Sequence, residues 1–202
     1  MRLGLFGGSF DPIHLGHVEA ARAARAELGL DRVLFLPTAR PPHKPERRFA
    51  PALARYAMVE LALLDDAELR VSDLELAVER EVYAIDTVER LRAERPGDEL
   101  VLLVGADSLA ALDTWRRWRE LVAAVEIGAL ARPGWEWGSV AAGLPHELSS
   151  ALEAARLGWV RSVAHPASAS EIRRRLAAGE PIPDDWLDPR VLKFVTKYDL
   201  YR

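Results

Sequence analysis

The feature that most constrains this chain is an alternation. Short apolar runs stop at glycine or proline, and each is followed by a segment of helical periodicity. The run 3–6 stops at Gly7-Gly8, the run 33–36 at Pro37, and the run 100–104 at Gly105. Runs this short and this uniformly apolar read as buried strands. Between the first two, Leu15, Val18, Ala21, Ala24 and Leu28 recur at helical spacing with charges opposite, and Gly29 supplies a C-terminal stop. Strand, helix, strand in that order predicts a parallel pair joined by a right-handed crossover. The pattern continues with helices over 49–64 and 84–94 and strands over 69–74, 125–131 and 159–163. The expected fold is therefore α/β: a Rossmann-like, doubly wound open parallel sheet of about six strands. A small C-terminal helical region is expected over about 166–202, where Ser170 caps one helix and Asp188-Pro189 opens another. The stretch 132–145, with its glycines and prolines, reads as a loop, and residues 1–202 as one domain.

Composition excludes several classes of function. Half of the 202 residues are apolar and 29% are charged, enough to bury a core without covalent staples. There is no cysteine, which rules out disulfides, thiolate ligands and a cysteine nucleophile. A net charge of −4 opposes whole-surface attraction to nucleic acid or membrane, so an anionic ligand has to be met by local positive groups. No apolar run approaches the ~20 residues of a bilayer span, and the opening residues lack a signal peptide's hydrophobic region. A cytoplasmic protein is expected.

The segment after the first strand is Gly7-Gly8-Ser9-Phe10-Asp11-Pro12-Ile13-His14-Leu15-Gly16-His17. It fits neither a Walker loop nor Gly-x-Gly-x-x-Gly. The glycine pair permits close backbone approach, and His14 and His17 share one face of a helix's first turn. Backbone N–H groups there favour an anion, so two imidazole donors beside them make a phosphate-sized cradle. The same residues also suit a plain turn followed by two capping or surface histidines. A zinc site from His14, His17 and His43 lacks a fourth ligand at suitable spacing, and no metal site of the protein's own is expected.

This segment resembles the signature of nucleotidyltransferases that carry a (His/Thr)-x-Gly-His motif. Further motifs follow in family order: Pro41-Pro42-His43-Lys44, Gly105-Ala106-Asp107-Ser108, Thr114-Trp115, Arg132-Pro133-Gly134, residues 168–173 and the closing Leu200-Tyr201-Arg202. Over essentially the whole chain the sequence resembles the bacterial nicotinate mononucleotide adenylyltransferases. The resemblance implies transfer of the adenylyl group of ATP to nicotinate mononucleotide by direct in-line attack, giving nicotinate adenine dinucleotide and pyrophosphate. The attacking phosphate monoester has a second pKa of about 6 and is mostly dianionic at pH 7, so it needs no general base. Catalysis is then positioning plus electrostatic stabilisation.

The resemblance also distributes roles. His17 is assigned to the α-phosphate in the transition state and His14 to the ATP phosphates. Lys44, one of only three lysines among 27 basic residues, and Arg173 complete the catalytic set. Gly7, Gly8, Ser9, Phe10, Gly105, Asp107, Ser168 and Ser170 fall on the ATP side. There Asp107 accepts from ribose hydroxyls, Ser170 donates to a phosphate oxygen and Arg173 bridges the β- and γ-phosphates. His43, Lys44, Tyr83, Ala84, Thr87, Trp115 and Arg132 fall on the mononucleotide side, with Trp115 stacked on the nicotinate ring and Trp118 left to the core. Mg2+ is expected to arrive with ATP. The partners are the two substrates, with neither nucleic acid nor membrane, and a homo-oligomer is left open. One stretch departs from the family: Ser-Tyr-Thr-x-Asp-Thr is here Val82-Tyr83-Ala84-Ile85-Asp86-Thr87, without two hydroxyls. Preference for nicotinate then rests on backbone N–H groups, or is relaxed. Of the rivals, phosphopantetheine adenylyltransferases share the first motif but carry threonine at position 14 and lack Pro-Pro-His-Lys and Thr-Trp. A non-catalytic nucleotide-binding module would be expected to lose at least one catalytic donor.

Overall fold

The computed structural model describes residues 1–39, 49–76, 81–131, 137–161 and 165–202. Strands β1 (Arg2–Gly8), β2 (Arg32–Pro37), β3 (Leu69–Val71), β4 (Glu99–Gly105), β5 (Glu126–Leu130) and β6 (Gly158–Val160) form one sheet. Their order is β3-β2-β1-β4-β5-β6, and every neighbouring pair is parallel. The helices are α1 (Leu15–Glu27), α2 (Ala52–Leu63), α3 (Ala84–Glu94), α4 (Ala106–Leu109), α5 (Trp118–Ala124), α6 (Trp137–Gly143), α7 (His146–Ala154), α8 (Ala169–Ala178) and α9 (Pro189–Lys197).

Both faces of the sheet are covered, which explains the unbroken apolar strands. In β4, Leu100, Leu102 and Val104 face a layer that includes Leu3, Leu5 and, from α3, Ile85, Val88 and Leu91. Val101 and Leu103 face the opposite layer, with Phe6, Phe35 and the α1 residues Val18, Ala21 and Ala24. With apolar partners on either side, no polar alternation survives. The C-terminal helices pack on the α1 and α2 face through Ile172, Val191 and Val195. There the Leu15 N–H donates to the Trp186 carbonyl at 2.9 Å.

Two local expectations are corrected. Ser168, not Ser170, caps α8: its extended backbone lets its hydroxyl accept from the Glu171 N–H at 3.2 Å. Ser170 already lies in the first turn and accepts from Arg173 at 3.0 Å instead. Within the expected loop 132–145, residues Trp137–Gly143 form α6. Glycines at both its ends look like breakers, but Val140 is buried and Trp137 packs on the core, so tertiary contacts carry the helix. Residues 132–136 lie outside the described residues, as do 162–164 beyond β6. Elsewhere Pro189 opens α9 as expected, with Asp188 accepting from the Arg190 N–H at 2.8 Å.

The strand order sets the place of the site. From β1 the chain winds outward to β2 and β3, and from β4 it winds the other way to β5 and β6. The loops leaving the carboxyl ends of β1 and β4 therefore diverge and leave a crevice between them.

Candidate active site

A cleft of about 710 Å³ opens at that switch point. Its floor is Gly7 and Gly8 at the end of β1 and Ser9 just after it, and its walls come from the starts of α3 and α4 and the turn after Leu112. Tyr83, Ala84, Thr87 and Trp115, expected on the mononucleotide side, all line it. Asp107, expected at the ATP ribose, stands in the same cleft as Trp115. Trp118 is buried in the core, as expected.

The glycine loop is shaped by what lies beneath it. A Cβ on Gly8 would sit 2.9 Å from the Phe10 ring, so only glycine lets the chain turn over that side chain. The Phe10 side chain, expected among the ATP contacts, is 2% exposed. It meets Phe6 edge-on at 5.6 Å and packs beneath the loop, so any ATP contact of this residue falls to its backbone.

His14 and His17 flank the start of α1. Their rings lie 3.7 Å apart between centroids, and the His14 N–H donates to Nδ1 of His17 at 3.3 Å. A neutral His17 that accepts at Nδ1 carries its proton on Nε2, the nitrogen farther from the backbone. Its ring is fixed by an edge contact with Phe10 at 5.3 Å. A Cβ on Gly16 would come within 3.1 Å of the His14 ring and 3.2 Å of His165 Cβ. The glycine between the two histidines thus admits the segment leading into α8, which brings Ser168, Ser170 and Arg173 beside α1. The Arg173 guanidinium donates to the Asp11 carbonyl at 2.6 Å and to Ser170 Oγ. Gly105 ends β4 and leads into α4. His43, Lys44 and Arg132 lie outside the described residues.

Residues to which the sequence reading assigned no role support these groups. Arg55, 1% exposed, donates to the carbonyls of Ser9 (2.6 Å), Ala50 (3.0 Å) and Ala39 (3.2 Å). Burial pushes its pKa down, and the charge of nearby Asp11 works against that. Asp11, also buried, accepts from the Ala50 N–H at 3.1 Å and from the Tyr201 hydroxyl at 2.8 Å. Burial pushes the Tyr201 hydroxyl up, so it remains a donor. Glu75, 6% exposed at the cleft wall, accepts from Thr87 Oγ1 at 2.9 Å. Burial pushes its carboxyl up, while hydrogen bonds with Thr87 and Thr38 partly oppose this. Arg116 lines the cleft with its guanidinium 4.8 Å from the centre of the Tyr83 ring. A buried arginine or glutamate leaves no periodic signal; only its proximity to Trp115 could have drawn attention to Arg116.

Among the described residues, no group of three or more His, Asp or Glu side chains comes together as a metal cage. No helix among them is long and apolar enough to cross a membrane.

Comparison with known proteins agrees with this fold. The cytidylyltransferase-like family model matches residues 5–175. A protein of Solibacter usitatus named "Probable nicotinate-nucleotide adenylyltransferase" is 45% identical over 202 residues, covering 100% of both chains. One of the same name from Symbiobacterium thermophilum is 40% identical over 203 residues, covering 99% of this chain and 95% of its own. Among solved structures, the Plasmodium falciparum nicotinic acid mononucleotide adenylyltransferase complexed with NaAD superposes with a TM-score of 0.76. It covers 99% of this chain and 97% of its own at 17% identity, a likeness of fold. The chain belongs to the cytidylyltransferase-like family and, within it, to the nicotinate-nucleotide adenylyltransferases.

Proposed function

We propose that the protein joins ATP and nicotinate mononucleotide to give nicotinate adenine dinucleotide and pyrophosphate, with residues 1–202 acting as one catalytic unit. The observation that carries this reading is the cleft at the switch point: a half-buried Trp115 and the start of α3 line it together with Gly7, Gly8 and Ser9, and the same segment runs on to His14 and His17 at the start of α1. A planar pyridinium ring suits the indole face, while phosphates suit the glycine loop and the histidine donors. The mononucleotide phosphate attacks the α-phosphorus as a dianion. A new P–O bond forms as the bond from the α-phosphorus to the bridging oxygen breaks, and pyrophosphate leaves with that electron pair. In this reading the Nε2–H of His17 donates to the α-phosphate oxygen as charge builds there, and His14, Ser170 and Arg173 hold the polyphosphate. Lys44 is proposed to add its charge at the same phosphates, and His43 and Arg132 are proposed to bind the mononucleotide. Mg2+ enters as part of the ATP substrate and neutralises its phosphates.

The test is pyrophosphate release from magnesium-ATP with nicotinate mononucleotide, nicotinamide mononucleotide or phosphopantetheine as acceptor. Strong release with nicotinate mononucleotide is the expected result. Release with phosphopantetheine instead, or with none despite ATP binding, overturns the reading. Trp115→Ala is expected to raise KM for the mononucleotide about tenfold, because base–aromatic stacking contributes that order of binding, with a smaller change in kcat. Saturation curves read this directly, and an unchanged KM counts against stacking.

A further inference from the structure

We propose that Arg116 is a specificity-determining residue that favours a mononucleotide carrying a ring carboxylate over one carrying a neutral carboxamide. The inference rests on the adenylyl-transfer reading and names a side chain that sets its acceptor. Arg116 and Arg117 are neighbours with different surroundings. Arg117 has a left-handed backbone (φ 54°) and is held at 2.6 Å by Glu89 of α3 and at 2.6 Å by Glu120 of α5. Those pairs pin the turn that presents Trp115 and Arg116. Arg116 enters no ion pair among the described residues; its guanidinium lies over the Tyr83 ring, 4.8 Å from its centre, at the cleft wall. Tyr83 is itself held by its hydroxyl, which donates to Glu81 at 3.0 Å.

The charges around the cleft make this cation matter. Among the described residues lining it, the other charged side chains are Glu75 and Asp107, both acidic. Among the described lining residues, a ring carboxylate entering beside Trp115 would otherwise meet only acidic charged side chains. Val82 and Ala84 line the same wall and bring no side-chain donor, whereas the guanidinium brings planar N–H pairs that match a carboxylate bidentately. A carboxamide carries no charge and gains far less from the same group.

The experiment measures kcat and KM for nicotinate and nicotinamide mononucleotides in wild type, Arg116→Ala and Arg116→Lys, with Tm alongside. In Arg116→Ala, kcat/KM for the nicotinate substrate is expected to fall about tenfold, mostly through KM, the scale of one charge-assisted contact. The nicotinamide value is expected to stay within about threefold, so the selectivity ratio drops, and lysine recovers part of it. Tm stays put because the side chain is exposed. An equal loss on both substrates places the guanidinium on their shared phosphate and overturns the proposal, as does an unchanged ratio. A wild type that turns over neither mononucleotide overturns the adenylyl-transfer reading itself, a result distinct from both.

Discussion

Replacing His17 with alanine is expected to lower kcat for pyrophosphate release by about 10²–10³-fold, the cost of losing one preorganised donor to developing oxyanion charge. The ring is half-buried, accepts from the His14 N–H and packs edge-on to Phe10, so the same change also opens a small gap. A Tm decrease of a few degrees is expected with it, which kinetics alone would not reveal. His17→Asn separates the two effects. Its side-chain oxygen takes the place of Nδ1 and can accept from the His14 N–H, but it presents nothing where Nε2–H stood. That variant should recover most of the Tm and little of the kcat. Wild-type turnover in His17→Asn would move the donor role to another residue.

Replacing Arg55 with methionine is expected to destabilise the fold by about 3–5 kcal/mol, because a buried charge network loses one member while its partners remain. The carbonyls of Ser9, Ala39 and Ala50 would lose their donor, and the buried Asp11 carboxylate would lose a neighbouring cation. For a chain of this length the Tm should fall by about 6–20 °C, measurable by calorimetry. Arg55→Lys keeps the charge but cannot reach all three carbonyls, and should fall in between. A Tm within about 2 °C of wild type in Arg55→Met would mean that those carbonyls find other partners. Because Arg55 holds the Ser9 carbonyl at the cleft floor, surviving methionine variant should also turn over more slowly.

How much of this was legible in the sequence differs residue by residue. The strand runs, the α1 stripe and the exact span of α3 follow from periodicity, which reports local burial. The glycine loop and the two histidines are contiguous, so their joint placement at the end of β1 was readable from the motif. Spacing alone does not separate Trp115 from Trp118, since both pack on the same core cluster; the Thr114-Trp115 motif is what set Trp115 apart. By contrast, 137–143 read as loop, since its glycines are local breakers while Trp137 and Val140 are rewarded only by distant contacts. That the Phe10 side chain points into the core was not legible, because motif membership does not reveal which way a side chain points. Ser170 read as a cap because Ser168 and Ser170 offer the same hydroxyl, and only backbone geometry chooses between them.

The sequence by itself determined the elements that depend on near neighbours: a buried parallel sheet, its crossovers, and a glycine turn that leads from the first strand into a helix. Tertiary structure decided what depends on residues far apart in the chain. It set the strand order that opens the crevice between β1 and β4, and it brought the Tyr201 hydroxyl to Asp11 across 190 positions. It also chose which of two adjacent arginines is spent on ion pairs and which faces the cleft. The physical reason is range. Backbone propensity and apolar periodicity act over a few residues, whereas the partners of a buried charge are fixed only when whole layers pack together and leave it no water.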